Sequence, residues 1–262
     1  MTLSLLQYAL GVCSGALVGF VLGLIGGGGS ILAVPLIVYL VGVRDPHLAI
    51  GTSAFAVAAN AATGLVHHAR AGHVNWRCAG LFAVAGVAGA AVGSTLGKAF
   101  DGHKLLFLFA ILMIAVGFLM LERRASFGNP DVALGRENAG KLLGFGLGAG
   151  TFSGFFGIGG GFLIVPGLTA ATGMSMINAV GSSLVAVTAF GLTTAVNYSL
   201  SGLVDWPLAF AFVAGGLGGS LGGTRLAHHL SKERGRLSVV FAIVIFTVAI
   251  YMLVRSGIDA WG

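Results

Sequence analysis

Two long stretches of this chain, residues 1–43 and residues 142–204, contain no charged side chain. A helix needs about 20 predominantly apolar residues to cross the hydrocarbon core of a bilayer. Both stretches exceed that length, so each must contain more than one membrane-embedded segment. Charged residues make up only 8% of the chain and hydrophobic residues 56%, whereas soluble domains carry about 25% charged residues. The sequence predicts an integral membrane protein, and an all-α one because the alternating runs of a β-barrel are absent.

The chain also contains the same hydrophobic motif twice. Residues 23–35 read GLIGGGGSILAVP, and residues 154–166 read GFFGIGGGFLIVP. Two further pairs follow in the same order: Gly-Thr-Ser at 51–53 with Gly-Ser-Ser at 181–183, and GHVNW at 72–76 with GLVDW at 202–206. Duplicated halves interrupted by glycine are typical of membrane transporters with internal repeats. We therefore predict a first transmembrane repeat over 1–121, a cytoplasmic linker over 122–141 and a second repeat over 142–262.

The placement of positive charge predicts how the repeats are oriented. If each repeat is a glycine-broken helical hairpin followed by three transmembrane helices, the odd number of crossings inverts the second repeat relative to the first. The loops at 67–77, 122–141 and 225–236 then share one side and carry ten of the fourteen Lys and Arg residues. Parallel repeats would divide these residues seven to seven. Because positive charge is enriched in cytoplasmic loops, the pattern favours inverted repeats with both chain ends outside the cytoplasm.

The glycine-rich interruptions are the first candidate site. Glycine adopts positive φ freely, so the chain can reverse there inside the membrane. The helix after each break would then direct free backbone N–H groups and the positive end of its dipole into the protein, where they can hold an anion. Scattered glycines such as Gly86, Gly89, Gly93, Gly215 and Gly219 are predicted instead to allow close helix packing. The predicted substrate-binding glycines and serine of the breaks are Gly26, Gly27, Gly28, Gly29, Ser30, Gly157, Gly159, Gly160 and Gly161.

Polar side chains on the helices predicted over 48–67 and 178–199 are the second candidate site. In the first helix they are spaced by seven, three and four residues, which places them on one face, and the second helix has polar residues at most of the equivalent positions. Such residues either hold helices together or line a polar path. We predict that they bind the substrate or line its route, with His67 and Tyr198 near the mouths. The residues are Ser53, Asn60, Thr63, His67, Ser183, Thr193, Asn197 and Tyr198.

The distribution of the ionisable residues favours an anionic substrate. All eight acidic residues fall in predicted loops or helix ends, whereas a cation carrier usually has a carboxylate at mid-membrane depth. His67, His68 and His73 cluster with Arg70 in a basic loop without a nearby acidic partner, so we predict neither a metal site nor a cofactor. A passive anion channel and a histidine-dependent metal-ion carrier remain as alternatives. A membrane enzyme is disfavoured because no nucleophile–base–acid set occurs at helical spacing.

The paired motifs resemble the signature of the sulfite exporter TauE/SafE family of membrane permeases. The resemblance rests on the glycine-rich segments at 23–35 and 154–166, together with the Gly-Thr-Ser, Gly-Ser-Ser and Gly-x-Val-(Asn/Asp)-Trp segments, and it covers nearly all of the chain. It implies a secondary transporter of small sulfur-containing anions, either organosulfonates such as sulfoacetate or the inorganic anions sulfite and thiosulfate. Members of the family are associated with both export and uptake, so the resemblance implies no direction.

These observations predict a multi-pass transporter of a bacterial-type inner membrane, not an enzyme. Its expected partners are the anionic substrate, the lipid bilayer and a coupling ion, either H⁺ or Na⁺. A homodimer is expected only because small membrane carriers often pair. The formal charge of +6 lies mostly in short loops between apolar segments, which indicates membrane topology and no nucleic-acid partner.

Overall fold

Residues 3–25, 27–122, 135–229 and 234–261 are described by the computed structural model, and they form ten helical segments. The second segment, α2, is composite: a 3-10 stretch Gly27–Leu32, one α-helical turn Ala33–Pro35 and a π-helical stretch Leu36–Leu40. The other helices of the first half are α1 (Leu5–Ile25), α3 (Pro46–Arg70), α4 (Trp76–Ala99) and α5 (Gly102–Glu122). The second half contains α6 (Arg136–Phe156), α7 (Gly161–Thr172), α8 (Met176–Ser199), α9 (Trp206–His229) and α10 (Arg234–Trp261).

The two halves contain the same five elements in the same order. The separation along the chain between the starts of α3 and α8 equals the separation between the starts of α4 and α9. Four described helices (α1, α3, α4 and α8) are long and apolar enough to cross a membrane, and shorter apolar helices accompany them. The all-helical prediction is thus confirmed. Of the predicted linker, residues 123–134 lie outside the described residues, and α6 already begins at Arg136.

Several helices start where an acidic side chain accepts the first backbone N–H groups. Asp45 Oδ1 accepts from His47 N at 2.9 Å, next to the proline that begins α3. Asp101 Oδ1 accepts from Lys104 N at 2.9 Å, and this hydrogen bond lowers the pKa of the Asp101 carboxyl. Asp205 caps α9 in the same way. These carboxylates therefore serve the helix ends, as an N-cap does, and not the membrane interior.

Glycine faces bring helices of different halves into backbone contact. A Cβ on Gly15 of α1 would overlap the Phe212 carbonyl of α9, and a Cβ on Gly154 of α6 would overlap the Ala90 carbonyl of α4. The α1–α9 and α4–α6 pairs are equivalent under the repeat and are the two most extensive helix contacts described. The prediction that the scattered glycines serve close packing is confirmed for Gly86, Gly89, Gly93, Gly215 and Gly219.

The order of contacts gives the relative directions of the helices. Along α1 and α9 the residue numbers rise together, so these helices run parallel; the pairs are Gly11 with Leu208, Gly15 with Phe212 and Gly19 with Gly216. Along α3 and α8 one number rises while the other falls, so these helices run antiparallel; the pairs are Gly51 with Tyr198, Ala58 with Gly191 and Gly64 with Leu184. The α4 helix runs parallel to α6, as the pairs Gly89 with Leu147 and Gly93 with Thr151 show.

Gly150→Ala is expected to destabilise the protein, because the added methyl would overlap the Gly86 carbonyl across the α4–α6 contact. The matched control is Gly148→Ala on the same helix, where nothing lies within 4 Å of the new Cβ. Alanine is favoured over glycine in a helix by about 1 kcal/mol, so the control should be neutral or stabilising. Thermal unfolding of the two purified variants in detergent would measure the difference. Equal midpoints would contradict the close contact.

Candidate functional site

The break between α6 and α7 lies at the middle of the α3–α8 pair. Gly157, Gly159 and Gly160 have φ values of +67°, +66° and +66°, a region that favours glycine. A Cβ on Gly159 would lie 2.8 Å from Val57 Cγ1 and 3.2 Å from Val187 Cγ1. Those two valines occupy equivalent positions of the two repeats, near the midpoints of α3 and α8. The second interruption is therefore buried at the centre of the fold.

The break of the first half lies beside the helix that follows the second break. Gly26 lies outside the described residues, whereas Gly27 and Gly28 belong to the 3-10 stretch of α2, which packs against α7. Gly29 must be glycine for steric reasons, because its Cβ would lie 2.6 Å from the Leu22 backbone nitrogen. Ser30 is fully buried beside it. The described part of the first interruption thus packs beside α7, the helix that follows the second interruption.

The first residues of α7 follow the second break directly. The helix is twelve residues long and begins at Gly161, which is buried. Its first intrahelical bonds are those from Leu163 N and Ile164 N to the Gly160 carbonyl, at 2.9 and 3.0 Å. The amides before them have no helical acceptor, as at any helix N-terminus. This end of α7 can therefore donate hydrogen bonds to a negatively charged group.

Ser153 is a residue of this site that the sequence did not single out. It is fully buried in α6, and its hydroxyl has no hydrogen-bond partner within the described part of the chain. A Cβ on Gly160 would lie 3.0 Å from Ser153 Oγ, so the hydroxyl borders the break. The equivalent position of the first half is Leu22. Because that residue is apolar, comparison of the repeats did not indicate a polar site at Ser153.

Asn60 of α3 is the second unsatisfied polar group near the centre. It is 4% exposed, and neither its Nδ2 nor its Oδ1 has a partner among the described residues. It packs against Gly216 of α9, where a Cβ would overlap the amide. The equivalent pair in the other half is Phe190 against Gly86. A buried unpaired amide carries a penalty of about 1–3 kcal/mol, so an asparagine here needs an explanation that helix packing does not supply.

The serines of the duplicated Gly-Thr-Ser and Gly-Ser-Ser segments are buried in α3 and α8. Ser53 Oγ donates to the Ile50 carbonyl at 2.9 Å and contacts the Gly157 carbonyl at 3.4 Å. Ser183 Oγ donates to the Val180 carbonyl at 2.8 Å, the equivalent bond of the second half. Both serines are fully buried. Ser53 therefore joins α3 to the break directly.

The other predicted site residues lie elsewhere or have protein partners. Thr63 and Thr193 each donate to the carbonyl four residues earlier in their own helix. His67 is exposed, with Nδ1 2.9 Å from the Thr63 carbonyl oxygen, so the structure does not bring it together with Ser53 and Asn60. The polar face predicted on α3 thus extends only part of the way along the helix.

Asn197 belongs to a clamp between α4 and α8. Lys98 Nζ donates to Asn197 Oδ1 at 2.6 Å, to the Asn197 carbonyl at 3.0 Å and to Ser201 Oγ at 2.8 Å. The Asn197 amide in turn donates to Ser94 Oγ at 2.6 Å and to Thr95 Oγ1 at 2.9 Å. The ammonium has three donors, and all are used. This geometry assigns Asn197 to helix packing, whereas the neighbouring Tyr198 is fully buried, and its hydroxyl has no partner among the described residues.

Comparison with known proteins gives the family. The sulfite exporter TauE/SafE family model matches residues 11–252. The chain belongs to the sulfite exporter TauE/SafE family. It is 51% identical over 262 residues to a probable membrane transporter protein of Xylella fastidiosa (strain 9a5c), covering 98% of both chains. It is 27% identical over 241 residues to the probable membrane transporter protein YunE of Bacillus subtilis (strain 168), covering 83% of this chain and 88% of YunE. No solved structure matches. The protein is thus a multi-pass membrane transporter of the bacterial inner membrane and not an enzyme.

The duplicated segments that carried the TauE/SafE resemblance bind each other across the two halves. Asn75 N donates to Ser182 Oγ at 2.9 Å, and Asp205 N donates to Thr52 Oγ1 at 3.0 Å, which is the equivalent bond. The glycine before each hydroxyl residue accommodates the same loop, because a Cβ on Gly51 would overlap the Leu203 carbonyl, and one on Gly181 would overlap the His73 carbonyl. These TauE/SafE segments therefore join the α3–α4 loop to α8 and the α8–α9 loop to α3.

Proposed function

We propose that this TauE/SafE protein is a secondary transporter of small sulfur-containing anions, either organosulfonates such as sulfoacetate or the inorganic anions sulfite and thiosulfate. The observation that carries the proposal is the glycine break at the centre of the α3–α8 pair, bordered by the Ser153 hydroxyl, which has no partner among the described residues. Backbone amides and neutral donors can hold an oxyanion there without a buried cation. Substrate class is taken from the family's description and from this chemistry together.

The helix directions support inverted repeats. The helix α3 and its equivalent in the second half, α8, point in opposite directions. This agrees with the division of Lys and Arg residues between the loops. In such transporters the substrate site lies near the midplane at the repeat interface, and one repeat moves against the other to give alternating access. Contact of the 3-10 stretch of α2 with α7 supports such a site here.

Asn60 and Ser153 are proposed as the side chains that contact the substrate, together with the first amides of α7. Ser30 and Ser53 line the same region, while Thr63, Thr193 and Asn197 maintain the helices around it. The described residues contain no group of three or more His, Cys, Asp or Glu residues that could hold a metal ion. A coupling ion, either H⁺ or Na⁺, and a homodimer are also part of the proposal.

Thermal unfolding of the detergent-purified protein with a ligand panel tests the proposal. The panel contains sulfite, thiosulfate, sulfoacetate, taurine, sulfate, acetate, Ni²⁺ and Zn²⁺. A ligand that binds only the folded state stabilises it by about 2.7 kcal/mol at a hundredfold excess over Kd. We expect one sulfur oxyanion or sulfonate to raise the midpoint selectively, and the Ser153→Ala variant to lose most of that shift.

Two results would contradict the proposal. Stabilisation by Ni²⁺ or Zn²⁺ without any response to anions would favour a histidine-dependent metal carrier. A selective anion shift that Ser153→Ala leaves unchanged would keep the substrate class but move the site away from the break. Transport into proteoliposomes against a concentration gradient would then distinguish a coupled carrier from a passive channel, because a channel cannot accumulate its substrate.

A further inference from the structure

Tyr198 and His68 lie at opposite ends of the α3–α8 pair. They occupy equivalent positions of the two repeats, and each lies against the first glycine of a duplicated motif in the other half. A Cβ on Gly51 would lie 2.9 Å from Tyr198 Cβ, and one on Gly181 would lie 3.3 Å from His68 Nδ1. Because α3 and α8 run antiparallel, the two contacts are at opposite ends of these helices. Equivalent residues of the two repeats therefore lie toward opposite membrane faces.

Both side chains bury a polar atom that has no partner in the described part of the chain. These atoms are Tyr198 Oη, in a residue with 0% exposure, and His68 Nδ1. The neighbouring groups are close without forming hydrogen bonds to them: the His47 ring centroid is 6.4 Å from that of Tyr198, and the His73 ring centroid is 5.9 Å from that of His68. Lys98 Nζ lies 5.9 Å from the Tyr198 ring centroid and uses its donors elsewhere.

In the structure, both side chains are packed against a glycine of the other half, and each end of the α3–α8 pair is closed. The unpaired polar atoms raise the free energy of this closed arrangement. Opening either end would let water or a passing anion satisfy the atom, so each unpaired atom favours opening at its own end. A phenylalanine would fill the same space without this effect. Packing therefore depends on the size of the two side chains, whereas the tyrosine hydroxyl and the histidine ring nitrogen form no hydrogen bond within the described residues that would explain why these positions are polar.

We propose that Tyr198 and His68 are the two gates of the transport path, one on each face, and that their unpaired polar atoms keep the closed and open forms close in free energy. This inference rests on the proposed transport function but not on the identity of the substrate. Each gate closes against the glycine of the Gly-Thr-Ser or Gly-Ser-Ser motif. The polar atom is then exposed to the aqueous side when that gate opens.

Cysteine accessibility tests the sidedness of the gates. In full-length protein lacking Cys13 and Cys78, the two cysteines of the chain, Tyr198→Cys and His68→Cys are treated with a membrane-impermeant thiol reagent in oriented vesicles. We expect the Tyr198→Cys thiol to react from one face only and the His68→Cys thiol from the other face only. The control Met113→Cys, at a fully buried position of α5, should react from neither. Reaction of both gate thiols from the same face, or of neither from any face, would overturn the proposal.

A second measurement tests the role of the unpaired atom. Adding Tyr198→Phe to the His68→Cys protein removes the penalty of closing the Tyr198 gate, so the gate at position 68 should open more often and its thiol should react about fivefold faster or more. The sign follows from alternating access: a more stable closed gate at Tyr198 favours the form that is open at His68, so the thiol should react faster. An unchanged or slower rate would refute a gate that depends on the hydroxyl.

The matched control for this measurement is Thr193→Val on the same helix. Its hydroxyl is bonded to the Ala189 carbonyl at 2.8 Å, so its removal should leave the labelling rate at position 68 unchanged. A change as large as that caused by Tyr198→Phe would show that the rate responds to any substitution in α8 and would overturn the assignment to the Tyr198 hydroxyl. Since neither labelling experiment contains substrate, a failed anion panel would leave both results interpretable.

Discussion

Gly157→Ala is expected to prevent accumulation of stable protein, whereas Gly173→Ala should be tolerated. Both glycines end a helix with positive φ, +67° at Gly157 and +70° at Gly173. A non-glycine residue in this conformation costs about 1–2 kcal/mol. At Gly173 nothing lies within 4 Å of the new Cβ, so only this cost applies. At Gly157 the Cβ would also overlap the side chain of Ile50, which is 1% exposed and cannot move aside. Overpacking of this kind adds about 1–3 kcal/mol.

The two variants can be compared by fluorescence-detected gel filtration and by thermal unfolding in the same detergent. The double variant Gly157→Ala with Ile50→Ala separates the two contributions, because it removes the overlap and retains the positive φ. It should recover part of the stability that Gly157→Ala loses, less the cost of the cavity left by Ile50. If Gly157→Ala and Gly173→Ala lowered the unfolding midpoint equally, contact between the break and α3 would not explain the requirement for glycine at 157.

Asn60→Leu is expected to make the protein more stable and to reduce transport at least tenfold. Leucine has a similar volume and carries no polar atom, so it removes from the core the Nδ2 and Oδ1 atoms that have no partner among the described residues. The gain in the free energy of unfolding should be about 1–3 kcal/mol. If the amide donates to the anionic substrate, its loss weakens binding by about 1.5–3 kcal/mol, which is roughly tenfold or more.

The control for this experiment is Thr63→Val on the same helix. The Thr63 hydroxyl already donates to the Ala59 carbonyl at 3.1 Å, so its removal should change both quantities little. Uptake of sulfite and of sulfoacetate into proteoliposomes would be measured beside thermal unfolding. A variant that is more stable and transports normally would exclude Asn60 from the substrate path. A less stable one would show that the amide has a structural partner.

Much of the fold could be predicted from the sequence because it depends on local chemistry. The long uncharged stretches require membrane helices, and the paired motifs predicted two halves, each of which contains five helical elements in the structure. The positive φ values at 157, 159 and 160 occur at glycines, the residue type that adopts them without strain. Helical periodicity also placed Ser53 and Asn60 on one face of α3, and both residues are buried. These features are determined by residues close in sequence and by the apolar surroundings of the membrane.

Which polar residues have partners could be decided only in three dimensions. The sequence treats Asn60 and Asn197 alike, yet Asn60 faces a glycine of α9 and has no partner among the described residues, while Asn197 is saturated by Lys98 and the hydroxyls of α4. Ser153 became visible only because the chain folds Gly160 back against it. A residue's own position in a helix determines its direction, but a hydrogen bond depends on what the neighbouring helix presents. The sequence by itself therefore determined the helices and their breaks, and the tertiary structure decided which side chains remain free to bind a substrate.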